Sequence, residues 1–409
     1  MSVIDETIED LRNRLSAELH VLVVMISNAW GGLEQTALAD VRLLMQNGLR
    51  VTLLVKENSP IDHAVKMESP QIRLIYSDDH VRNYFDGGLW RQLRHLIDHD
   101  AVNLVHCHQT TILGSVVPAL LNRRHVALVV SRHILNSHNK RDPLHALLYR
   151  RVDYMLVLSQ TMRRNMAATF PLPEKKLRIV NLSIDLDRFN PNTVDRTEMR
   201  QAWGIPEDAF LVGLVGRIDP MKGQDLMIKA LAQVRKTYPD VYGVMVGNET
   251  PGLEGRYLQE LAESIRQLHL EDSILLQPAK KEVPQVMAAL DLFVMPSWSE
   301  AFGLVAIEAM AMGLPCVLGR GGSAEEMAQH SGAELVRAQD AYDLARKIIA
   351  LRNNPSAREQ MKKNGRDYVL QNHAKTTRLH RTLEVYARCY RRRIYGDPHH
   401  LGHVPPYLK

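Results

Sequence analysis

Residues 20–55 read HVLVVMISNAWGGLEQTALADVRLLMQNGLRVTLLV, and the hydrophobic rhythm of this stretch decides the fold class. His20 to Ile26 is an apolar run rich in β-branched residues and of strand length, whereas Ser27 to Gly32 has the polar, glycine-bearing composition of a loop. Ala37, Leu38, Val41, Leu44 and Met45 then recur at helical spacing. Gly48 stops that helix as a left-handed cap before a second strand, Val51 to Val55. Strand, helix and strand in that order form a βαβ unit, whose helical crossover makes its two strands parallel. The alternation returns at Asn103 to His106, Ala127 to Ser131 and Tyr154 to Leu158, so the first half is expected to be a doubly wound parallel sheet.

From Asp185 to Ala209 the rhythm weakens, with Pro191, Pro206 and several charges, as at a domain boundary. A second alternating series follows, with strands at Leu211 to Val215, Gly243 to Val246, Ser273 to Leu276, Leu292 to Met295 and Pro315 to Leu318. The expected architecture is α/β, two Rossmann-like parallel-sheet domains facing a central cleft, with ligands at the carboxyl ends of the strands. The limits read from the chain are 1–186, 187–373 and a C-terminal helix and tail, 374–409.

With 409 residues, 45% hydrophobic and 24% charged, the chain is long and apolar enough for two or three packed cores, which excludes a disordered polypeptide. Its three cysteines, Cys107, Cys316 and Cys389, are far apart and show no metal-ligand spacing, which points to a reducing cytoplasm and no structural zinc. The first residues include Asp5, Glu6, Glu9 and Asp10, and the first apolar run is too short for a signal-peptide core or a membrane span. The net charge is +5, and the stretch Leu121 to Gln160 alone holds seven basic residues against Asp142 and Asp153, a surplus as large as that of the whole chain. Such a patch suits anionic lipid head groups or a phosphorylated acceptor, an ordinary solvated face being the plainer account. Nucleic acid is disfavoured, because aromatic residues make up only 6% and none are interleaved with the charges as a stacking motif.

The chemistry-bearing segments lie after predicted strands. Ser299 to Gly313 reads SEAFGLVAIEAMAMG: a loop leads into a helix starting near Phe302, whose unpaired N–H groups at Phe302, Gly303 and Leu304 offer an anion site. Glu308 lies inside this helix with no lysine or arginine three or four residues away, and a carboxylate in such apolar company needs a partner. The two vicinal hydroxyls of a ribose would supply one; an ion pair with a distant base is the other account. Glu300, in the loop ahead, has the reach to accept bonds from sugar hydroxyls or to act as a helix N-terminal charge. Upstream, Gly216, Arg217 and Lys222 follow the strand ending at Val215, and two cations in one loop can neutralise a departing diphosphate without a metal, or stand as plain surface cations at a strand end. Gly31 and Gly32 permit close phosphate approach or form a plain turn; the chain has no GxGxxG in a βα turn, which weakens a nicotinamide or flavin reading. His106 and His108 share one face of a strand end, as packed or as functional histidines, with no third ligand nearby for a metal. Ser323 and Glu326 have the spacing of a capping box after the strand ending at Leu318.

Together these segments resemble glycosyltransferase family 4, the retaining group with the GT-B fold. Its two glutamates separated by seven residues match Glu300 and Glu308 within SEAFGLVAIEAMAMGLPCV, with VGR-x4-KG upstream at Val215 to Gly223. The resemblance implies that Glu308 holds the donor ribose, Glu300 the transferred sugar's hydroxyls, and Arg217 and Lys222 the diphosphate. It places His108 near the sugar, and Gly31 and Gly32 on the diphosphate and acceptor side. It implies a nucleotide diphosphate sugar, UDP- or GDP-linked, as donor, front-face transfer without a metal, and a final helix, Thr376 to Arg393, crossing back onto the first domain. Asn181-Leu182-Ser183-Ile184-Asp185 departs from the Asn-Gly common before Ile-Asp in the family, which bears on the local turn. Ser131-Arg132-His133 through Asp153 is similar to members that build lipopolysaccharide or other envelope glycans. That implies a glycan or lipid-linked acceptor at the inner face of the cell membrane. A sugar-nucleotide epimerase, a phosphorylase or a catalytically silent nucleotide-sugar-binding scaffold on the same fold are the competing readings.

Overall fold

The computed structural model describes residues 8–78, 81, 85–250, 252–298 and 300–394; Asp5, Glu6 and Ser299 of the motifs above lie outside these residues. The chain divides into two compact units, Met1–Leu182 with Lys375–Lys409, and Ser183–Ala374.

The first unit is built on seven parallel strands: β1 (His20–Met25), β2 (Arg50–Lys56), β3 (Arg73–Ser77), β4 (Leu104–Cys107), β5 (Ala127–Ser131), β6 (Tyr154–Val157) and β7 (Leu177–Ile179). Their spatial order is β3-β2-β1-β4-β5-β6-β7. The near-continuous apolar sequences of β1, β4 and β5 follow from this position, because a central parallel strand is covered on both faces and every residue of all three is buried. Two strands escaped the sequence reading here, β3 and β7, and both are sheet edges. Short edge strands with charged residues such as Arg73 and Arg178 carry little hydrophobic periodicity.

The helix Gly32–Gln46 ends at Asn47, and Gly48 follows with φ +84°, the left-handed turn expected there. The C-terminal helix Lys375–Ile394 returns to this unit, as the family resemblance implied. Its Leu379, Leu383, Tyr386 and Cys389 join one core with Leu11 and Leu15 of the helix Ile8–Glu18 and with strand residues such as Val21 and Leu104. Burying each such leucine stabilises by roughly 1.5–3 kcal/mol. Three arginines tie the helix down: Arg378 to Asp40 and to the Asn181 carbonyl, Arg381 to the Asn181 side chain, and Arg393 to Asp153. Asn181 also donates from Nδ2 to the Leu158 carbonyl at 2.9 Å, so the residue at the unusual turn is a buried strut.

The second unit holds six parallel strands, β8 (Phe210–Val215), β9 (Val241–Val246), β10 (Ile274–Gln277), β11 (Leu292–Met295), β12 (Cys316–Gly319) and β13 (Glu334–Val336), in the order β10-β9-β8-β11-β12-β13. The strand the sequence reading missed, β13, is again an edge. In both sheets the order reverses once, between β1 and β4 and between β8 and β11. Open parallel sheets take ligands at the carboxyl ends of the strands beside such a switch point. Cys107, Cys316 and Cys389 are free and buried. Among the described residues no helix is long and apolar enough to cross a membrane.

Candidate active site

The switch point of the second sheet gathers the loops that carry Arg217, Lys222 and Glu300. Arg217 and Lys222 follow β8, Glu300 follows β11, and these strands are neighbours. A backbone bond from Trp298 N to Met221 O, 3.0 Å long, joins the two loops. The Lys222 ammonium donates to Glu300 Oε1 in an ion pair whose partners are 23% and 17% exposed. One cation and one acid that the sequence assigned separately to diphosphate and sugar are thus a contact pair. Arg217 is exposed, and among the described residues no hydrogen bond or ion pair engages its guanidinium.

Asp219 shapes the loop between the two cations. Its carboxylate accepts from Met221 N at 2.9 Å and from Thr250 Oγ1 at 2.7 Å, setting the single 3-10 turn Pro220–Lys222. The Met221 N–H bond chiefly holds its carboxyl below the usual range, with Thr250, Arg217 and Lys222 adding to it. Sequence reasoning passed over Asp219, although Asp-Pro after a strand is a turn signal.

Glu300 is positioned from behind by the turn after β12. Gly322 has φ +58°, and a Cβ there would lie 1.7 Å from the Glu300 carbonyl oxygen, so only glycine fits. Ser323 N donates to Glu300 O at 3.2 Å, and Ser323 Oγ donates to Phe302 O at 2.6 Å. This corrects the capping-box reading: the Ser323 hydroxyl makes no cap to the helix Ala324–Ser331, because its own backbone is helical and its side chain is spent on the neighbouring loop.

The expected helix begins two residues later than Phe302. Gly303, at φ +79°, is its N-cap and the helix runs Leu304–Ala311. Phe302 contributes its carbonyl to the loop while its ring is buried beside His373, at 5.5 Å between centroids. Apart from Glu308 the helix is wholly apolar, and its inner face is closed by packing. Ala306, Ile307, Ala309, Met310 and Ala311 are buried, and Met310 lies 3.3 Å from the Cβ position of Gly365 on the helix Pro355–Asn372. Glu308 lies with Leu304 and Val305 on the half-buried face, its carboxyl among apolar neighbours. Burial pushes its pKa up to about 7, and the attraction of Arg188 only partly opposes this. Among the described residues no hydrogen bond or ion pair reaches that carboxyl, so the distant base considered from the sequence acts through space and not by contact.

Gly31, Gly32 and His108 belong to the first unit. Gly31 is extended (φ −137°) and caps the helix Gly32–Gln46, with its N–H donated to Glu34 Oε2 at 2.9 Å; a second bond, Ser27 Oγ to Glu34 Oε1 at 2.7 Å, fixes the loop. A Cβ on Gly32 would meet nothing within 4 Å, so the backbone does not demand glycine there.

His108 is 2% exposed and sits in a buried polar cluster. His106 shares its ring nitrogens between the Tyr386 hydroxyl (2.7 Å) and Ser131 Oγ (2.8 Å). His108 Nδ1 faces His133 Nε2 at 3.3 Å, and its Nε2, unbonded, lies 4.0 Å from Asp40 Oδ2. Burial lowers the pKa of His106 to about 4, that of His133 to about 3, and that of His108 well below the usual value, where His106, His133 and Arg378 add to the effect. All three are neutral at pH 7, and the charge of Asp40 is met by Arg378 at 2.6 Å rather than by His108. The sequence reading missed Asp40, His133, Arg378 and Tyr386. An acid within the apolar stripe Ala37, Leu38, Val41 was the available signal for Asp40.

Known proteins agree with this architecture. Residues 30–188 match the family described as Glycosyltransferase Family 4, and residues 195–368 that described as Glycosyl transferases group 1. Over 189 residues the chain is 36% identical to a D-inositol 3-phosphate glycosyltransferase 2 of Catenulispora acidiphila, a match covering 44% of this chain and 43% of that protein. The chain spans about half the length of the curated relatives it matches. Among solved structures it is similar to a glycosyltransferase from Rickettsia africae ESF-5, with TM-score 0.81, 17% identity and coverage of 91% of this chain and 98% of that one. It is also similar to Anabaena HepE in complex with UDP, with TM-score 0.77, 22% identity and coverage of 90% and 100%. At these identities the structural likeness is one of fold. With both of its parallel-sheet units matched, the chain belongs to the glycosyl transferases group 1 of glycosyltransferase family 4, built on the GT-B fold.

Proposed function

We propose that this protein is a retaining glycosyltransferase that moves a hexose from a UDP- or GDP-linked donor to a glycan or lipid-linked acceptor of the cell envelope. The observation that carries the proposal is the switch point of the second sheet: Lys222 in contact with Glu300, with Arg217 in the same loop and Glu308 on an apolar helix, neither of them hydrogen-bonded or ion-paired through its side chain among the described residues.

In this reading Glu308 accepts from the ribose hydroxyls, which restore the hydrogen bonds that burial denies it. Arg217 and Lys222 take the diphosphate, so the two cations meet the charge that grows on the leaving oxygen, and no metal is required for that task. Glu300, held by Lys222, receives the hydroxyls of the transferred sugar. Gly303 and Leu304, with Phe302 behind them, present the helix start to the donor. The bond from the anomeric carbon to the diphosphate oxygen breaks as the acceptor oxygen bonds the same face, and the acceptor's proton passes to the leaving phosphate. Gly31 and Gly32 serve the acceptor side. His108, enclosed and neutral, acts as a positioning residue there.

The acceptor class rests on charge and on kinship. Of the seven basic residues counted between Leu121 and Gln160, Arg123 is paired with Asp98 and Arg151 is bonded to Asp153 and the Val126 carbonyl. Arg124, Arg141 and Arg150 are exposed and stand in the same stretch as exposed Ile134, Leu144 and Leu147, a mixture that favours the anionic inner face of a membrane and a cytoplasmic, peripheral location. The Catenulispora relative bears the name of an enzyme acting on a phosphorylated inositol.

Incubation with labelled UDP- and GDP-hexoses, with and without acceptor and in the presence of EDTA, tests the reaction. Sugar transferred with its anomeric configuration kept, and undiminished by chelation, is expected. Epimerised donor in the absence of any acceptor, or nucleotide binding with no transfer to any acceptor, would replace the proposal by an epimerase or a silent scaffold.

A further inference from the structure

The loop after β5, residues 132–141, carries two cations that the donor site does not use. Arg132 is half-buried: its Nε donates to the Ile134 carbonyl at 3.0 Å, Nη1 approaches Thr110 Oγ1 at 3.4 Å, and the guanidinium lies 5.9 Å from the centre of the Phe170 ring. The Lys140 ammonium lies 5.5 Å from the centre of the same ring. Among the described residues no carboxylate pairs with either. Burial lowers the pKa of both groups, and the charge of Arg132 lowers that of Lys140 further. Two partly desolvated cations against one buried ring repel each other, and they lose some of their water without gaining an acid. An anion relieves both penalties.

The loop is also built to hold them still. Asn136, 8% exposed, donates its N–H to Asn165 Oδ1 at 2.8 Å, and Asn165 Nδ2 donates back to the Asn136 carbonyl at 3.1 Å. Lys140 N donates to the Thr169 carbonyl at 2.8 Å, so the loop is stitched along the helix Gln160–Thr169. Phe170 is wholly buried and meets Tyr149 edge to face at 5.0 Å. The platform stands at the carboxyl end of β5, next to β4, along the edge that also carries His108 and Gly31. A loop whose backbone is held in place presents its cations to an anion at a lower ordering cost.

We propose that Arg132 and Lys140 form the binding site for a phosphoryl group on the acceptor, with the guanidinium fork on two of its non-bridging oxygens and the ammonium as a point charge. The inference rests on the reading that the first unit takes the acceptor. The phosphoryl group is a soluble phosphomonoester or the head group of a lipid, and the exposed Ile134, Leu144 and Leu147 stand in the same stretch of chain.

Calorimetric titration of the full chain with inorganic phosphate and with glycerol 3-phosphate tests the site, comparing wild type, K140Q and R132Q/K140Q. The K140Q variant keeps the Arg132 stem on Phe170, and thermal denaturation reports whether either variant is folded. Phosphate binding is expected to weaken about tenfold in K140Q and further in the double variant, each lost charge-assisted bond being worth about that factor. Cosedimentation with vesicles of phosphatidylglycerol and phosphatidylcholine separates the sources. Vesicle binding lost with the two cations identifies a lipid head group, and loss confined to the soluble phosphates identifies a soluble ester. Any anion held by Arg217 and Lys222 is common to all variants and leaves the difference unchanged. Equal phosphate affinity in wild type and double variant, or none in wild type, overturns the site. UDP and GDP are titrated in parallel: their binding, with phosphate failing, overturns this inference alone, whereas their failure counts against the transferase reading itself.

Discussion

Replacing Glu308 by glutamine keeps the shape of the side chain and removes its charge, so it isolates what burial does to this carboxyl. Its pKa is about 7 in the folded chain and 4.5 ordinarily, a raised value, so the folded form holds a proton that the unfolded form has released between those two pH values. Stability from this group is therefore highest below pH 4.5, falls as pH rises and is at its lowest above pH 7. One pKa unit corresponds to about 1.4 kcal/mol, and because the side chain is not wholly enclosed the penalty above pH 7 is on the order of 1–3 kcal/mol. Glu308→Gln should recover it. Thermal denaturation at pH 8 without nucleotide should show the variant melting higher, by roughly 2–4 °C per kcal/mol for a domain of this size, with the difference vanishing near pH 4.5. In the same variant UDP or GDP, whichever the wild type binds, should bind about tenfold or more weakly, since charge-assisted bonds to the ribose are lost. A variant less stable than wild type at pH 8 would mean that the charged carboxylate has a protein partner, and unchanged nucleotide affinity would remove Glu308 from the donor site.

Lys222→Met strands Glu300 without its cation: turnover should fall by orders of magnitude, while urea denaturation changes by only about 1 kcal/mol, the pair being partly exposed. Gly322→Ala drives a methyl group into the Glu300 carbonyl, and a loss on the order of 1–3 kcal/mol with a matching fall in turnover is expected; normal turnover would show that Glu300 is not held by this turn. Tyr386→Phe removes the hydroxyl from buried His106 and should cost about 1–3 kcal/mol in urea denaturation, a test of the C-terminal helix as a structural part of the first unit. The lowered pKa values of His106 and His133 act on stability with the sign opposite to Glu308. Their contribution is intact above pH 6.5 and is lost as pH falls toward 4, where the unfolded histidines are charged and the buried ones are not, so acid unfolding of wild type should steepen below pH 6.5.

Order along the chain was enough to determine two βαβ series, because central parallel strands are apolar throughout and their loops are marked by glycine and proline. It was also enough to mark Glu308, since an acid within an all-apolar helix stands out without coordinates. The edge strands β3, β7 and β13 were hidden for the converse reason: they are short and each carries a charged residue. Only the tertiary structure decided that Lys222 grips Glu300, since 78 residues separate them and the contact exists because β8 and β11 are neighbours. It alone withdrew Ser323 from its helix cap and enclosed His108 among His106, His133 and Asp40. It alone set Arg132 and Lys140 over Phe170 with no acid paired to either among the described residues. Local spacing encodes which faces are apolar; partners brought together by strand order and by a returning helix are set by the packing of the whole unit.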